Sequence, residues 1–265
     1  MSLNKILVVI DPTEDKQPAF ERGLDSARLT GARLHLYVCL ETKGDEASRK
    51  IEGGRMDAIL EAFANRCEAD GVEAYTEIDW AQDWSSQVVT AAARCSASMI
   101  FKNSFSHAAV DRELRPTSDW TLMRLSPCPI LMVKNFGDWK HRRVLAAIYC
   151  QSTDDAHIKL NNQIISFAQR FTDAYGSDAH FVNAYQDKNH KPEFEQLARI
   201  CGTPLEHIHV VEDTPASAIS KVAEELSVDL IIIGTVGRTG IKARMIGNTS
   251  ERILDHMQAD VLVLN

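Results

Sequence analysis

Lys5-Ile6-Leu7-Val8-Val9-Ile10-Asp11 and Arg143-Val144-Leu145-Ala146-Ala147-Ile148-Tyr149 are two versions of one phrase, a basic residue followed by an unbroken apolar run. A run without polar alternation suits a strand buried on both faces, as in parallel sheets flanked by helices. Its return in a chain of 265 residues, longer than a typical single domain, points to two copies of one unit.

The correspondence continues outward. Gly31-Ala32-Arg33-Leu34-His35-Leu36 matches Gly176-Ser177-Asp178-Ala179-His180-Phe181, each after a helix-like stretch, Phe20–Thr30 and Asp155–Ala174. The two glycines fit helix C-termini that feed a second strand. Asp83–Val133 overlays Asp213–Leu264 at an offset of 131 after one adjustment near a helix. Each copy then reads helix, strand, loop, helix, strand: Ser86–Arg94, Met99–Phe101, Ser118–Arg124 and Ile130–Val133, against Ala216–Leu226, Leu230–Ile233, Thr249–His256 and Val261–Leu264. Alternating strands and helices predict βαβ crossovers and a doubly wound parallel sheet in each copy. Turn chemistry at Asn135-Phe136-Gly137-Asp138-Trp139-Lys140 interrupts the pattern, so the units are expected at 1–136 and 141–265.

Composition narrows the function classes. A hydrophobic content of 45% with 25% charged residues is that of an ordinary globular protein. The longest apolar runs are strand-sized, and no secretory signal is read at the N-terminus, so no membrane partner is expected. The net charge of -8 repels phosphate backbones and argues against nucleic-acid binding. The six cysteines are scattered without a CxxC pair, which fits reduced thiols and a cytoplasmic setting.

One stretch carries chemistry. Gly234-Thr235-Val236-Gly237-Arg238-Thr239-Gly240 runs on through Ile241-Lys242-Ala243-Arg244-Met245-Ile246 to Gly247-Asn248-Thr249, from the end of an apolar strand into a helix. Glycines there let backbone N–H groups approach an anion, and the helix adds its unpaired donors and positive dipole end. Arg238, Lys242 and Arg244 add positive charge, while Asn248 and Glu251 compose a capping box. The plainer reading is a strand-to-helix turn. Against it stands the position at the carboxyl end of a central strand, where doubly wound sheets hold ligands.

Gly234, Gly237 and Gly247, spaced G-x2-G-x9-G, resemble the signature of the universal stress protein family, although Asn248 stands where the family has Ser or Thr, with Thr249 adjacent, and the resemblance covers both halves of the chain. It implies two tandem Rossmann-like (adenine nucleotide alpha hydrolase-like) α/β units, each a five-stranded parallel sheet flanked by helices in strand order 3-2-1-4-5. It also implies a cytoplasmic, non-enzymatic stress-response protein. The units would pair through their last strands as an internal pseudo-dimer, with a homodimer as a further level of assembly. ATP or AMP binds some members. The ligand residues carried over are Gly234, Gly237, Arg238, Gly240, Gly247, Asn248 and Thr249, with Tyr149 at the place of the family's nucleoside-contacting acid. The pattern is divided between the copies. The first has the acid, Asp11, but Asn103, Ser106 and Pro116 replace the three glycines, and proline offers no N–H to a phosphate. The second has the loop, but Tyr149 replaces the acid and stacks on a base or fills its pocket.

Other candidates have plainer explanations. His207 and His209 alternate on an expected strand at a spacing compatible with metal, but the sequence identifies no third ligand, so no metal is expected. Glu212-Asp213 reads as helix N-terminal charge ahead of Pro215 before it reads as a cation or ribose site. Lys102 reaches Asp11 or an anion, or simply snorkels from its strand end. Trp80, Trp84, Trp120 and Trp139 read as packing residues. Cys39 and Cys150 lie near strand ends without a base, and no nucleophile–base pair appears, so no catalytic residue is assigned. Three functions follow in descending order: a sensor binding adenine nucleotide in its second unit, a nucleotide-free partner-binding module acting through paired surfaces, and a weak ATPase or nucleotidyl transferase.

Overall fold

The run Lys5–Val9 forms strand β1, with Ile6, Leu7 and Val8 wholly buried. The structure, a computed structural model, describes residues 3–42, 44–104, 118–137, 142–235 and 257–265. The chain divides into two compact units, Met1–Phe136 and Gly137–Asn265.

In the first unit β1 lies between β2 (Arg33–Glu41) and β4 (Met99–Asn103); β3 (Ala74–Ala81) pairs with β2, and β5 (Ile130–Val133) with β4. All four pairings are parallel, giving the order 3-2-1-4-5. Helices α1 (Pro18–Thr30), α2 (Glu46–Ala69), α3 (Trp84–Arg94) and α4 (Ser118–Leu125) lie between the strands in sequence. Their ends follow local chemistry. Proline opens α1 where its missing N–H costs nothing, and Gly31 closes it in the left-handed region at φ 71°. Asp45 and Asp83 cap α2 and α3, accepting from the N–H groups of Ser48, and of Ser85 and Ser86.

The second unit repeats the plan with β6 (Arg143–Ala147), β7 (Asp178–Tyr185), β8 (Ile208–Glu212), β9 (Leu230–Gly234) and β10 (Asp260–Leu264). Its parallel order, β8-β7-β6-β9-β10, is the order of the first unit. The fold class expected from the sequence is therefore the one observed. Between the strands lie α5 (Asp155–Tyr175), α6 (Phe194–Cys201) and α7 (Pro215–Leu226); Asp154 caps α5 and Gly176 closes it at φ 63°. Between their second and third strands the copies differ: α2 has 24 residues and α6 has 8.

Packing explains the glycine at the end of β9. A Cβ on Gly234 would lie 2.5 Å from Leu160 Cδ2 of α5, inside van der Waals contact. Leu160 is buried, so this helix seats on the strand only if residue 234 has no side chain. Gly234→Ala is expected to destabilise the protein by about 1–3 kcal/mol through overpacking. In a Leu160→Ala background, denaturant unfolding should show most of that penalty gone; equal penalties in both backgrounds would count against the contact as its cause.

Candidate functional site

In each unit the segments that follow the first and fourth strands emerge side by side at the carboxyl rim of the sheet. Backbone polarity gathers there because the buried strands admit so little elsewhere. In the second unit these segments carry Tyr149 and Gly234. Asn161 of α5 brackets the tyrosine backbone: its Oδ1 accepts from Tyr149 N–H at 3.0 Å and its Nδ2 donates to Tyr149 C=O at 2.7 Å. The ring lies 5.7 Å from that of His157. At 46% exposure the Tyr149 ring is half open to solvent. Just beyond it Gln151 donates to Asn183 Oδ1 at 2.8 Å and Ala184 C=O at 3.0 Å. Thr235 turns away toward β10, its hydroxyl donating to Asn265 Oδ1 at 2.6 Å. Gly237, Arg238, Gly240, Gly247, Asn248 and Thr249 lie outside the described residues, as do Lys242, Arg244, Glu251 and the stretch Thr249–His256.

The first unit uses the same bracket. Gln17 Oε1 accepts from Asp11 N–H at 3.0 Å, and its Nε2 donates to Asp11 C=O at 2.7 Å. Here the polar groups are occupied by one another. Asp11 Oδ1 accepts from the N–H and hydroxyl of Thr13 at 2.9 and 2.6 Å. Asn103, at the position of Gly234 in the second copy, is 1% exposed. Its Oδ1 accepts from Ala19 N–H at 2.8 Å, near the start of α1, and its Nδ2 donates to Gln17 Oε1 at 2.8 Å. The expected reach of Lys102 to Asp11 is replaced by an ion pair with Asp119 Oδ1 at 3.0 Å and a bond to Asn103 C=O at 2.8 Å, with Trp84 beneath the ammonium. Ser106 and Pro116 lie outside the described residues.

The remaining candidates separate cleanly. Asp213 Oδ1 accepts from Thr214 N–H at 2.6 Å and its Oδ2 from Ser217 Oγ at 2.6 Å, and these bonds hold its carboxyl below the usual range. It is therefore tied into the first turn of α7. Burial pushes the thiols of Cys39 and Cys150 upward, and that of Cys201 up to about 12, so these sulfurs are protonated and poor nucleophiles.

The histidine pair needs correction. His207 closes a 3-10 turn, Leu205–His207, and β8 begins one residue later. The pair is accompanied by Asp178 and His180 at the start of β7: His180 Nε2 is 3.2 Å from Asp178 Oδ2, and His207 Nε2 is 3.5 Å from Asp178 Oδ1. The signal that would have found them is a second alternation, Asp178-Ala179-His180, on the neighbouring strand.

Comparison with known proteins gives a consistent result. The model described as universal stress protein family matches residues 2–134 and 164–265. Universal stress protein E of Escherichia coli (strain K12) is 24% identical over 293 residues, covering 98% of this chain and 93% of that one. Universal stress protein E of Photorhabdus laumondii is 23% identical over 294 residues, covering 98% and 94%. Among solved structures, a functionally unknown protein from Pseudomonas aeruginosa PAO1 is 27% identical with a TM-score of 0.85, over 99% of this chain and 92% of that one. A universal stress protein from Archaeoglobus fulgidus shares the fold at 17% identity and a TM-score of 0.81, over 100% and 97%.

The Asn103 network yields a test. Asn103→Ala leaves the Ala19 N–H and the Gln17 amide without their buried partner, a loss expected to cost about 1–3 kcal/mol in denaturant unfolding. Gln17→Ala should add less in that background than alone; strict additivity would mean the two amides do not act together.

Proposed function

Because this chain belongs to the universal stress protein family, we propose that it is a nucleotide-responsive stress-response protein that turns nothing over. In this reading the units are 1–136 and 141–265, and only the second takes a ligand. An adenine nucleotide, ATP or AMP, seats its base against the exposed ring of Tyr149 and its phosphates against the backbone donors of the glycine segment. Gly237, Gly240, Gly247, Asn248 and Thr249 then line the anion, and Arg238 supplies charge. Occupancy alters the segment's order and with it a surface read by other proteins. The six free cysteines fit a reducing, cytoplasmic setting.

The observation that carries this reading is the contrast between the two rims. In the first unit Asp11, Asn103 and Lys102 are each satisfied by a neighbouring side chain or backbone group. In the second Tyr149 is half exposed, and β9 ends on a residue without a side chain. One observation favours the runner-up, a nucleotide-free partner module: packing against Leu160 already accounts for Gly234.

Calorimetric titration of nucleotide-free protein with ATP, with and without magnesium, separates the two. The sensor predicts saturation near one site per chain, binding weakened more than tenfold by Gly247→Val, and no change with Asp11→Ala. Absence of heat and of thermal stabilisation at millimolar ATP would overturn the sensor in favour of the partner module.

A further inference from the structure

At the opposite, amino-terminal rim of the second unit, four side chains meet where the start of β7 adjoins β8 and the 3-10 turn that leads into it. Phe181 pairs with Ile208 and Val182 with His209, so the residues just before the first pair, His180 and His207, stand side by side. Their ring centroids are 4.4 Å apart. The period of two along each strand then adds Asp178 beneath His180 and His209 above His207. Ligand atoms of Asp178, His180 and His207 all lie within 4.8 Å of one another. His180 is buried, while Asp178 and His207 open to solvent.

We propose that Asp178, His180 and His207 bind a divalent transition-metal ion of the zinc class, through the two Nε2 atoms and the carboxylate, with the solvent side left for water. The distances suit such an ion. Ligands about 2.1 Å from a tetrahedral zinc stand roughly 3.4 Å apart; His180 Nε2 is 3.2 Å from one oxygen of Asp178 and His207 Nε2 is 3.5 Å from the other, so the carboxylate faces both imidazoles.

The surroundings suit it as well. A ligating imidazole needs an acceptor for its other ring nitrogen. His180 Nδ1 faces His209 Nε2 at 3.2 Å, and His207 Nδ1 faces Thr203 Oγ1 at 3.3 Å. With the ion bound, both rings carry their proton on Nδ1 and donate to these partners. Metal binds the neutral imidazole, so protonation of either ring competes with the ion.

The first copy shows what the same location looks like when built to exclude a cation. There His35, the counterpart of His180, pairs with Glu77 at 2.6 Å, and Arg94 at the end of α3 neutralises Glu77 and Asp79. Ser96 and Ser227, both left-handed at φ 53° and 51°, mark equivalent places, so Arg94 corresponds to Glu225 of α7. In the second copy the same helix position carries an acid in place of the cation. Arg143, the cation near His180, is drawn to the Leu226 carbonyl.

The experiment uses the full chain, stripped with a chelator and titrated with Zn2+ against a chromophoric competitor at neutral pH. Expected is one equivalent per chain at micromolar affinity or tighter, weakened at least tenfold by His207→Gln and by Asp178→Asn, and unchanged by Glu77→Gln. Both ligand changes are at solvent-open positions, and circular dichroism of each variant confirms that it is folded. Co2+ in place of Zn2+ should give the intense visible bands of a four-coordinate site, lost in the same variants. Zinc binding weaker than micromolar in the parent chain, or equal in both variants, overturns the site. Because the cluster lies at the rim opposite Tyr149 and Gly234, neither result bears on nucleotide binding.

Discussion

Burial of both faces of each parallel sheet is the constraint on which the rest of the molecule depends. β1, β4, β6 and β9 are buried on both faces, and Ile6, Leu7, Ile100, Val144, Leu145, Ile231 and Ile232 are wholly inaccessible. A strand in that position has no solvent face on which to carry polar chemistry, since an unpaired polar group there costs several kcal/mol. Function is driven to the strand ends. The carboxyl rim carries Asp11 and Tyr149 after β1 and β6; the amino rim of β7 and β8 carries the histidine cluster. A buried polar residue such as Asn103 persists because its amide is hydrogen-bonded at both ends.

Duplication under this constraint conserves strands and frees rims. The sheets repeat strand for strand, and even the amide bracket after the first strand recurs, as Gln17 on Asp11 and Asn161 on Tyr149. The substitutions that distinguish the copies sit at the ends: Asp11 against Tyr149, Asn103 against Gly234, Arg94 against Glu225. Each changes what a rim can hold. In the first unit Asp11, Asn103 and Lys102 are held by neighbouring amides, hydroxyls and an ion pair. The second presents a half-exposed ring, a strand end without a side chain and a group of histidines. The partly exposed pairs of the first unit add little to stability; what they do is occupy the site.

The sheets were legible in the sequence because unbroken runs such as Leu230–Ile233 admit few structures, and Gly31 and Gly176 mark helix ends by backbone freedom alone. Helix α2 was not legible: only Met56, Leu60 and Cys67 of its 24 residues are buried, so it shows little apolar period. The short α6 gave equally little to count. At the carboxyl rim the sequence identified Gly234, but its dependence on Leu160, 74 positions earlier in the chain, is a tertiary fact. The histidine cluster failed to appear for the same reason. His207 and His209 were seen as an alternating pair, while Asp178 and His180 join them only through the register of β7 on β8.

The central claim is a division of labour between like units, one rim closed by its own side chains and the other open to an adenine nucleotide. Hydrogen exchange followed by peptide mass, with and without saturating ATP, tests it directly. The account predicts slowed exchange around Tyr149 and at Ile231–Thr235, with no change at Asp11–Gln17 or at Asn103. Protection at the first unit's rim, or identical exchange everywhere under saturating ligand, would contradict it.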